Sequence, residues 1–153
     1  MILLIYIPFF IYFCFNVFLL IGYLRSSRKT ENLVSKAISI SIIIPFRNEM
    51  LRWDKLLKSL ESLQPGSCEL KIFFIDDHSD DGGFTHLTKW KENINKNITI
   101  LSLDSNVIGK KEAINLGVSI ADSDWIFTLD ADSYISDNFL KNFIVQMDDS
   151  SLV

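Results

Sequence analysis

The sequence predicts an α/β domain, a mostly parallel sheet with helices on both faces, preceded by one N-terminal transmembrane helix. Three features carry this expectation. Residues Ile2 to Leu24 include no charged side chain. After them, four short apolar runs alternate with stretches of helical spacing. Carboxylates and basic residues then gather just behind several of those apolar runs.

The N-terminal run is dominated by Ile, Leu, Phe and Tyr. At about 1.5 Å per residue it would reach roughly 30 Å as a helix, the depth of a bilayer's hydrocarbon core. Pro8 and Asn16 are tolerable in such a helix. No basic stretch precedes the run and Gly22-Tyr23-Leu24-Arg25 is a poor cleavage site, which argues against a signal peptide. Residues 1–24 are therefore expected to anchor the chain as a single-pass membrane protein. Arg25, Arg28 and Lys29 follow at once, so the N-terminus is expected outside and the remainder in the cytoplasm. Residues 25–38 read as a polar linker and residues 39–153 as the folded part.

Within that part, Ile38-Ser39-Ile40-Ser41-Ile42-Ile43-Ile44 begins alternating and ends continuously apolar, as a strand buried on both faces does, and Pro45 is expected to stop it. Leu51, Leu56, Leu57, Leu60 and Leu63 predict a helix from Asn48 to Gln64, closed by Pro65-Gly66. Strands follow at Leu70–Ile75, Ile98–Leu103 and Trp125–Leu129, with helices near Phe84–Asn93, Lys110–Ala121 and Asp137–Met147. Such alternation indicates a parallel sheet, whose ligands sit beyond the carboxyl ends of its strands.

Composition narrows the function. A net charge of −4 in 153 residues disfavours nucleic acid as a partner. Cys14 and Cys68 make neither a metal site nor a credible disulfide. The phosphate-binding glycine motifs of P-loop and dinucleotide-binding proteins do not occur. The acidic loop Asp76-Asp77-His78-Ser79-Asp80-Asp81-Gly82 starts like a calcium loop, but Thr88 stands where the bidentate Glu belongs.

What remains is chemistry at strand ends. Asp130 and Asp132, separated by one residue, can face one ligand edge, and hard oxygens of this kind suit Mg²⁺ or Mn²⁺ bridged to phosphate. Alone, the triplet is equally an acidic, solvated turn. Gly109-Lys110-Lys111 opens a helix whose free N–H groups and lysine could meet a phosphate, or could be a solvated start. Ala113 and Gly117, four apart, would let that helix approach the sheet closely.

Four segments in order, Ser41-Ile42-Ile43-Ile44-Pro45-Phe46-Arg47-Asn48-Glu49, Ile75 to Gly82, Gly109 to Gly117 and Leu129-Asp130-Ala131-Asp132-Ser133, resemble glycosyltransferase family 2, which has the Rossmann-like GT-A fold. The resemblance covers about Ser39 to Val153 and implies a nucleotide-sugar-binding part. It assigns Pro45, Arg47 and Glu49 to the nucleotide pocket and Asp77, beside Asp76, to the base, usually uracil. It places Lys110 near the nucleotide, Asp130 near ribose and sugar, and Asp132 on the metal ion, Mn²⁺ or Mg²⁺. It further implies transfer from a nucleotide sugar, UDP-linked by the family's habit, to a glycan or lipid-linked acceptor with inversion, in cell-envelope or polysaccharide synthesis.

The sequence departs from the family twice. His78 stands where Gly is usual, and the acidic general base, expected in an acceptor-binding half, would lie downstream of Val153. The chain by itself is therefore expected to be incomplete and inactive. Two other readings share some of these residues: a membrane-tethered nucleotide-binding remnant, and a phosphohydrolase of the haloacid dehalogenase type. The latter normally carries D-x-D on its first strand, not its fourth.

Overall fold

The computed structural model describes residues 2–26 and 38–147. The chain falls into two compact units, Met1–Leu33 and Val34–Val153. In the first, helix α1 spans Ile2–Ser26. Its described side chains, Ile7 and residues 9–22, are all exposed and almost entirely apolar, with no polar face. Asn16 donates its amide to the Tyr12 carbonyl at 2.8 Å, one turn back, so the helix satisfies that donor internally. Among the described residues no helix is long and apolar enough to cross a membrane. Helix α1 runs two residues into the expected linker, and residues 27–37 lie outside those described.

Among the described residues the second unit holds four parallel strands, β1 (Ser39–Phe46), β2 (Glu69–Asp76), β3 (Asn97–Ser102) and β4 (Trp125–Thr128), in the order β3-β2-β1-β4. Strands β1 and β2 occupy the centre, and alternate residues serve opposite faces. Ile40, Ile42, Ile44, Phe46, Ile72 and Phe74 join one core cluster; Ile43, Phe73 and Ile75 join the other. Burial on both sides is why these strands read as unbroken apolar runs.

Helix α2 (Asp54–Ser62) and α3 (Gly83–Glu92) cover the first face through Leu56, Leu60 and Leu87, joined by Leu140 of α5 (Phe139–Met147). Helix α4 (Lys110–Ile120) covers the second. It comes very close there: a Cβ on Gly117 would lie 2.5 Å from Cγ2 of Ile43. The small-residue spacing of Ala113 and Gly117 serves the close approach expected of it.

Two elements differ from the sequence expectation. Pro45 does not stop β1; it pairs with Ile75 of β2, and Phe46 follows it in the strand. The register with β4 covers only Ile40–Ile43, so Pro45 sits near a strand end with a neighbour on one side. The predicted helix from Asn48 also begins late. Met50–Arg52 form a 3₁₀ turn, α2 starts at Asp54, and Leu51 is 92% exposed rather than on the apolar face. Loop-to-loop hydrogen bonds described below hold that segment off the helical path.

Candidate functional site

Strands β1, β2 and β4 deliver their following loops to one edge of the sheet. A pocket of about 250 Å³ opens there, lined by Pro45, Phe46, Arg47, Glu49, Asp77, Lys110, Asp130, Ala131 and Asp132. Seven of the eight residues singled out from the sequence thus meet in one place. A groove of about 480 Å³ beside β3 and α4 is larger but contains none of them, so chemistry rather than size selects the site.

Asp76 is the exception. It is buried and absent from the pocket wall. Its Oδ1 accepts the Ser79 N–H at 3.0 Å and its Oδ2 the Ser102 hydroxyl at 3.5 Å. It therefore shapes the acidic loop from behind, while its neighbour faces the ligand side.

Asp77 is held from several directions. Its N–H donates to the Phe46 carbonyl at 2.8 Å, fixing the end of β2 beside the end of β1. Its Oδ1 accepts the Gly109 N–H at 3.0 Å and contacts His78 Nδ1 at 3.3 Å, and its Oδ2 lies 3.8 Å from the Arg47 guanidinium. The carboxylate is 8% exposed, whereas Arg47 is 54% exposed. A buried carboxylate tied to a backbone N–H is a preorganised acceptor: it needs no reorientation to meet a donor group.

The loop after β1 and the loop after β2 are stitched together. Asn48 N–H donates to Ser79 Oγ at 3.0 Å, Asp80 N–H to Asn48 Oδ1 at 2.9 Å, and Met50 N–H to Asp81 Oδ2 at 2.9 Å. Asp81 Oδ1 also accepts the Gly83 N–H at 2.9 Å, where α3 begins. Each loop carries one non-glycine residue in the left-handed region, Asn48 at φ 55° and His78 at φ 59°. Asn48, Ser79 and Asp81 are the positioning residues that sequence reasoning missed. Their signal was present in residue type, since short polar side chains bond nearby backbone in turns, but their partners lie about thirty residues away.

On the opposite wall, Asp130 and Asp132 follow β4 and both are exposed. The Lys110 ammonium lies 2.6 Å from Asp130 Oδ1. Among the described residues no group of three His, Cys, Asp or Glu side chains could hold a metal ion. Two carboxylates nevertheless fit a hard divalent cation that takes its other oxygens from phosphate and water. The lysine ammonium against Asp130 already shows that this carboxylate attracts a cation. Outside the pocket, Cys14 and Cys68 are free thiols, and burial pushes the Cys68 thiol upward, which keeps it unreactive.

Residues 41–152 match the family described as glycosyl transferase family 2. The chain belongs to this glycosyltransferase family. It is 34% identical over 108 residues to the 4,4'-diaponeurosporenoate glycosyltransferase of Staphylococcus haemolyticus, covering 71% of this chain and 28% of that protein. It is 25% identical over 112 residues to the poly(ribitol-phosphate) beta-N-acetylglucosaminyltransferase TarS of Staphylococcus aureus, covering 73% of this chain and 19% of that one. The chain thus spans less than a third of the length of these curated relatives.

Solved structures agree on the fold. TarS 1-349 in complex with UDP-GlcNAc superposes with a TM-score of 0.64 at 24% identity, over 72% of this chain and 31% of that one. The mannosyltransferase PcManGT of Pyrobaculum calidifontis, in complex with GDP-Man and Mn²⁺, gives 0.65 at 20% identity, over 86% and 40%. The parallel α/β sheet is GT-A-like.

Proposed function

We propose that these residues form the donor-binding side of an inverting glycosyltransferase that uses a nucleotide sugar, UDP-linked rather than GDP-linked. The observation that carries the reading is the convergence of Asp77, Arg47, Lys110, Asp130 and Asp132 on one pocket from separate loops. Relatives solved with UDP, UDP-GlcNAc and GDP-Man support a sugar nucleotide as ligand, and the two that are TarS support uridine.

In this reading Asp77 accepts a hydrogen bond from the base, and Pro45, Phe46, Arg47 and Glu49 line its side of the pocket. Asp130 and Asp132 would together hold Mn²⁺ or Mg²⁺, with Asp132 the principal ligand. The cation would neutralise the charge gathering on the diphosphate as it leaves. Lys110, at the first turn of α4, adds a positive charge on the same side. An acceptor hydroxyl would attack the anomeric carbon in line, its proton going to an acidic general base as the nucleoside diphosphate leaves.

In this proposal the uncharged run Ile2–Leu24 anchors the chain to a membrane, with residues 39–147 on the cytoplasmic side, where a lipid-linked or growing envelope glycan would be the acceptor. The curated relative named as a poly(ribitol-phosphate) beta-N-acetylglucosaminyltransferase favours such a role. Calorimetric titration of UDP in the presence of Mn²⁺ tests the site. Wild type should show metal-dependent binding that Asp132→Ala abolishes; unchanged metal-dependent binding in the variant refutes the assignment.

A further inference from the structure

Lys110 sits where a cation is locally unfavourable. It is the first residue of α4, and Lys111 follows, so two ammonium groups stand at the positive end of a helix dipole. Glu112 in the same turn offsets part of this. The Lys110 ammonium instead crosses to the loop after β4 and meets Asp130 at 2.6 Å. Both side chains are more than half exposed, 61% and 59%. Among the described residues Asp132, two positions on, meets no such lysine, and no third carboxylate, His or Cys completes a metal cluster.

A divalent cation and this ammonium therefore compete for the same carboxylate. They repel one another if both are held there. The competition is easily reversed, because an exposed lysine–carboxylate pair is weak and the lysine stem is flexible. An arginine fork would grip the carboxylate in two places and exchange less readily.

Resting on the donor-site reading above, we propose that Lys110 is an exchangeable counter-ion. It neutralises Asp130 while no donor is bound, and moves its ammonium to the donor's diphosphate when a divalent cation takes Asp130. Metal ion and nucleotide then enter as a coupled pair: each makes the other's binding stronger, and by linkage the enhancement is equal in both directions. No covalent step is involved, and Lys110 acts through position and charge.

Binding of Mn²⁺ to the full chain in detergent, followed by the paramagnetic resonance of free Mn²⁺ with and without UDP, tests the exchange. Lys110→Met should bind Mn²⁺ alone about two- to five-fold tighter than wild type, the strength of an exposed ion pair. With UDP present it should bind Mn²⁺ roughly ten-fold more weakly, having lost a charge-assisted contact to the diphosphate. Lys111→Met makes the same charge change without touching Asp130 and should stay within about two-fold of wild type for Mn²⁺ alone. Equal affinities of Lys110→Met and wild type for Mn²⁺ alone overturn the exchange, as does an equal gain in Lys111→Met. Asp132→Ala separates the two levels of inference. If it loses UDP-dependent Mn²⁺ binding while Lys110→Met behaves as wild type, the donor site stands and only the exchange fails. If Asp132→Ala binds Mn²⁺ and UDP as wild type does, the donor-site reading falls and the exchange with it.

Discussion

Gly117→Ala isolates the contact that fixes α4, and with it Lys110, against the sheet. A Cβ at this position would lie 2.5 Å from Ile43 Cγ2 and 3.1 Å from both Cδ1 and Cγ1. Carbon atoms pack at roughly 3.5–4.0 Å, so helix and strand must separate by about 1 Å. Ile43 cannot yield, being fully buried in β1 and paired with both Phe73 and Thr128. Overpacking of this kind costs about 1–3 kcal/mol, against about 1 kcal/mol gained because Ala favours a helix over Gly. The net expectation is a loss of up to about 2 kcal/mol.

Urea unfolding of the full chain in detergent, followed by the fluorescence of Trp53, Trp90 and Trp125, measures it. The decisive comparison is made in an Ile43→Ala background. There the clash is gone, and Gly117→Ala should become stabilising by about 1 kcal/mol, a reversal of sign. The same destabilisation in both backgrounds, or a stabilised single variant, refutes the steric argument. Because α4 begins at Lys110, the single variant should also weaken Mn²⁺-dependent UDP binding, and the double variant should recover part of it.

Three further outcomes follow from the same contacts. His78→Gly should stabilise the protein by about 0.5–1 kcal/mol in urea unfolding, because a left-handed backbone penalises a Cβ and the buried Nε2 of His78 has no partner among the described residues; any loss of stability sinks this. Asn48→Gly should instead destabilise, since its left-handed φ is offset by the bond it accepts from Asp80. Asp76→Ala should cost about 1–3 kcal/mol by orphaning the Ser79 N–H, whereas exposed Asp132→Ala should stay within about 0.5 kcal/mol of wild type; equal losses would contradict the division of labour drawn here.

The last concerns pH: the hydrogen bond to Lys71 holds the Asp122 carboxyl below its usual range, and the same bond holds Lys71 above its own. The depressed Asp122 contributes stability above the unfolded carboxylate value, lost as pH falls through about 4 and below; the raised Lys71 contributes below the unfolded lysine value, lost as pH rises past about 10. Lys71→Met should therefore lower the urea midpoint at neutral pH and converge on wild type near pH 2, and a gap that persists in acid would refute the linkage.

Much of the architecture was legible in the chain because it depends on local periodicity. Runs such as Ile42-Ile43-Ile44 are apolar at every position only if both faces are covered, which already implies a central parallel strand. The order of strands and helices followed, and with it the rule that Arg47, Asp77 and Asp130 belong to one edge. The four motifs needed no coordinates, since each is defined by its position relative to a strand.

Other features depend on atoms distant in sequence, and no local pattern contains them. Leu51 has helical spacing, yet the hydrogen bond from Met50 N–H to Asp81 belongs to a loop that holds its segment in a 3₁₀ turn and leaves the side chain in solvent. Asp76 and Asp77 are the same residue type side by side. Only the end of β2 decides that one turns back to Ser79 and Ser102 while the other faces the pocket. His78 could be marked as unusual from the sequence, but its positive φ gives the reason that Gly suits the position. The uncharged run Ile2–Leu24 and the order of elements were thus determined by the sequence alone, because composition and period are properties of short windows. The pairing of Lys110 with Asp130, twenty residues apart, was decided only by the tertiary structure, because it takes the sheet to bring the start of α4 beside the end of β4.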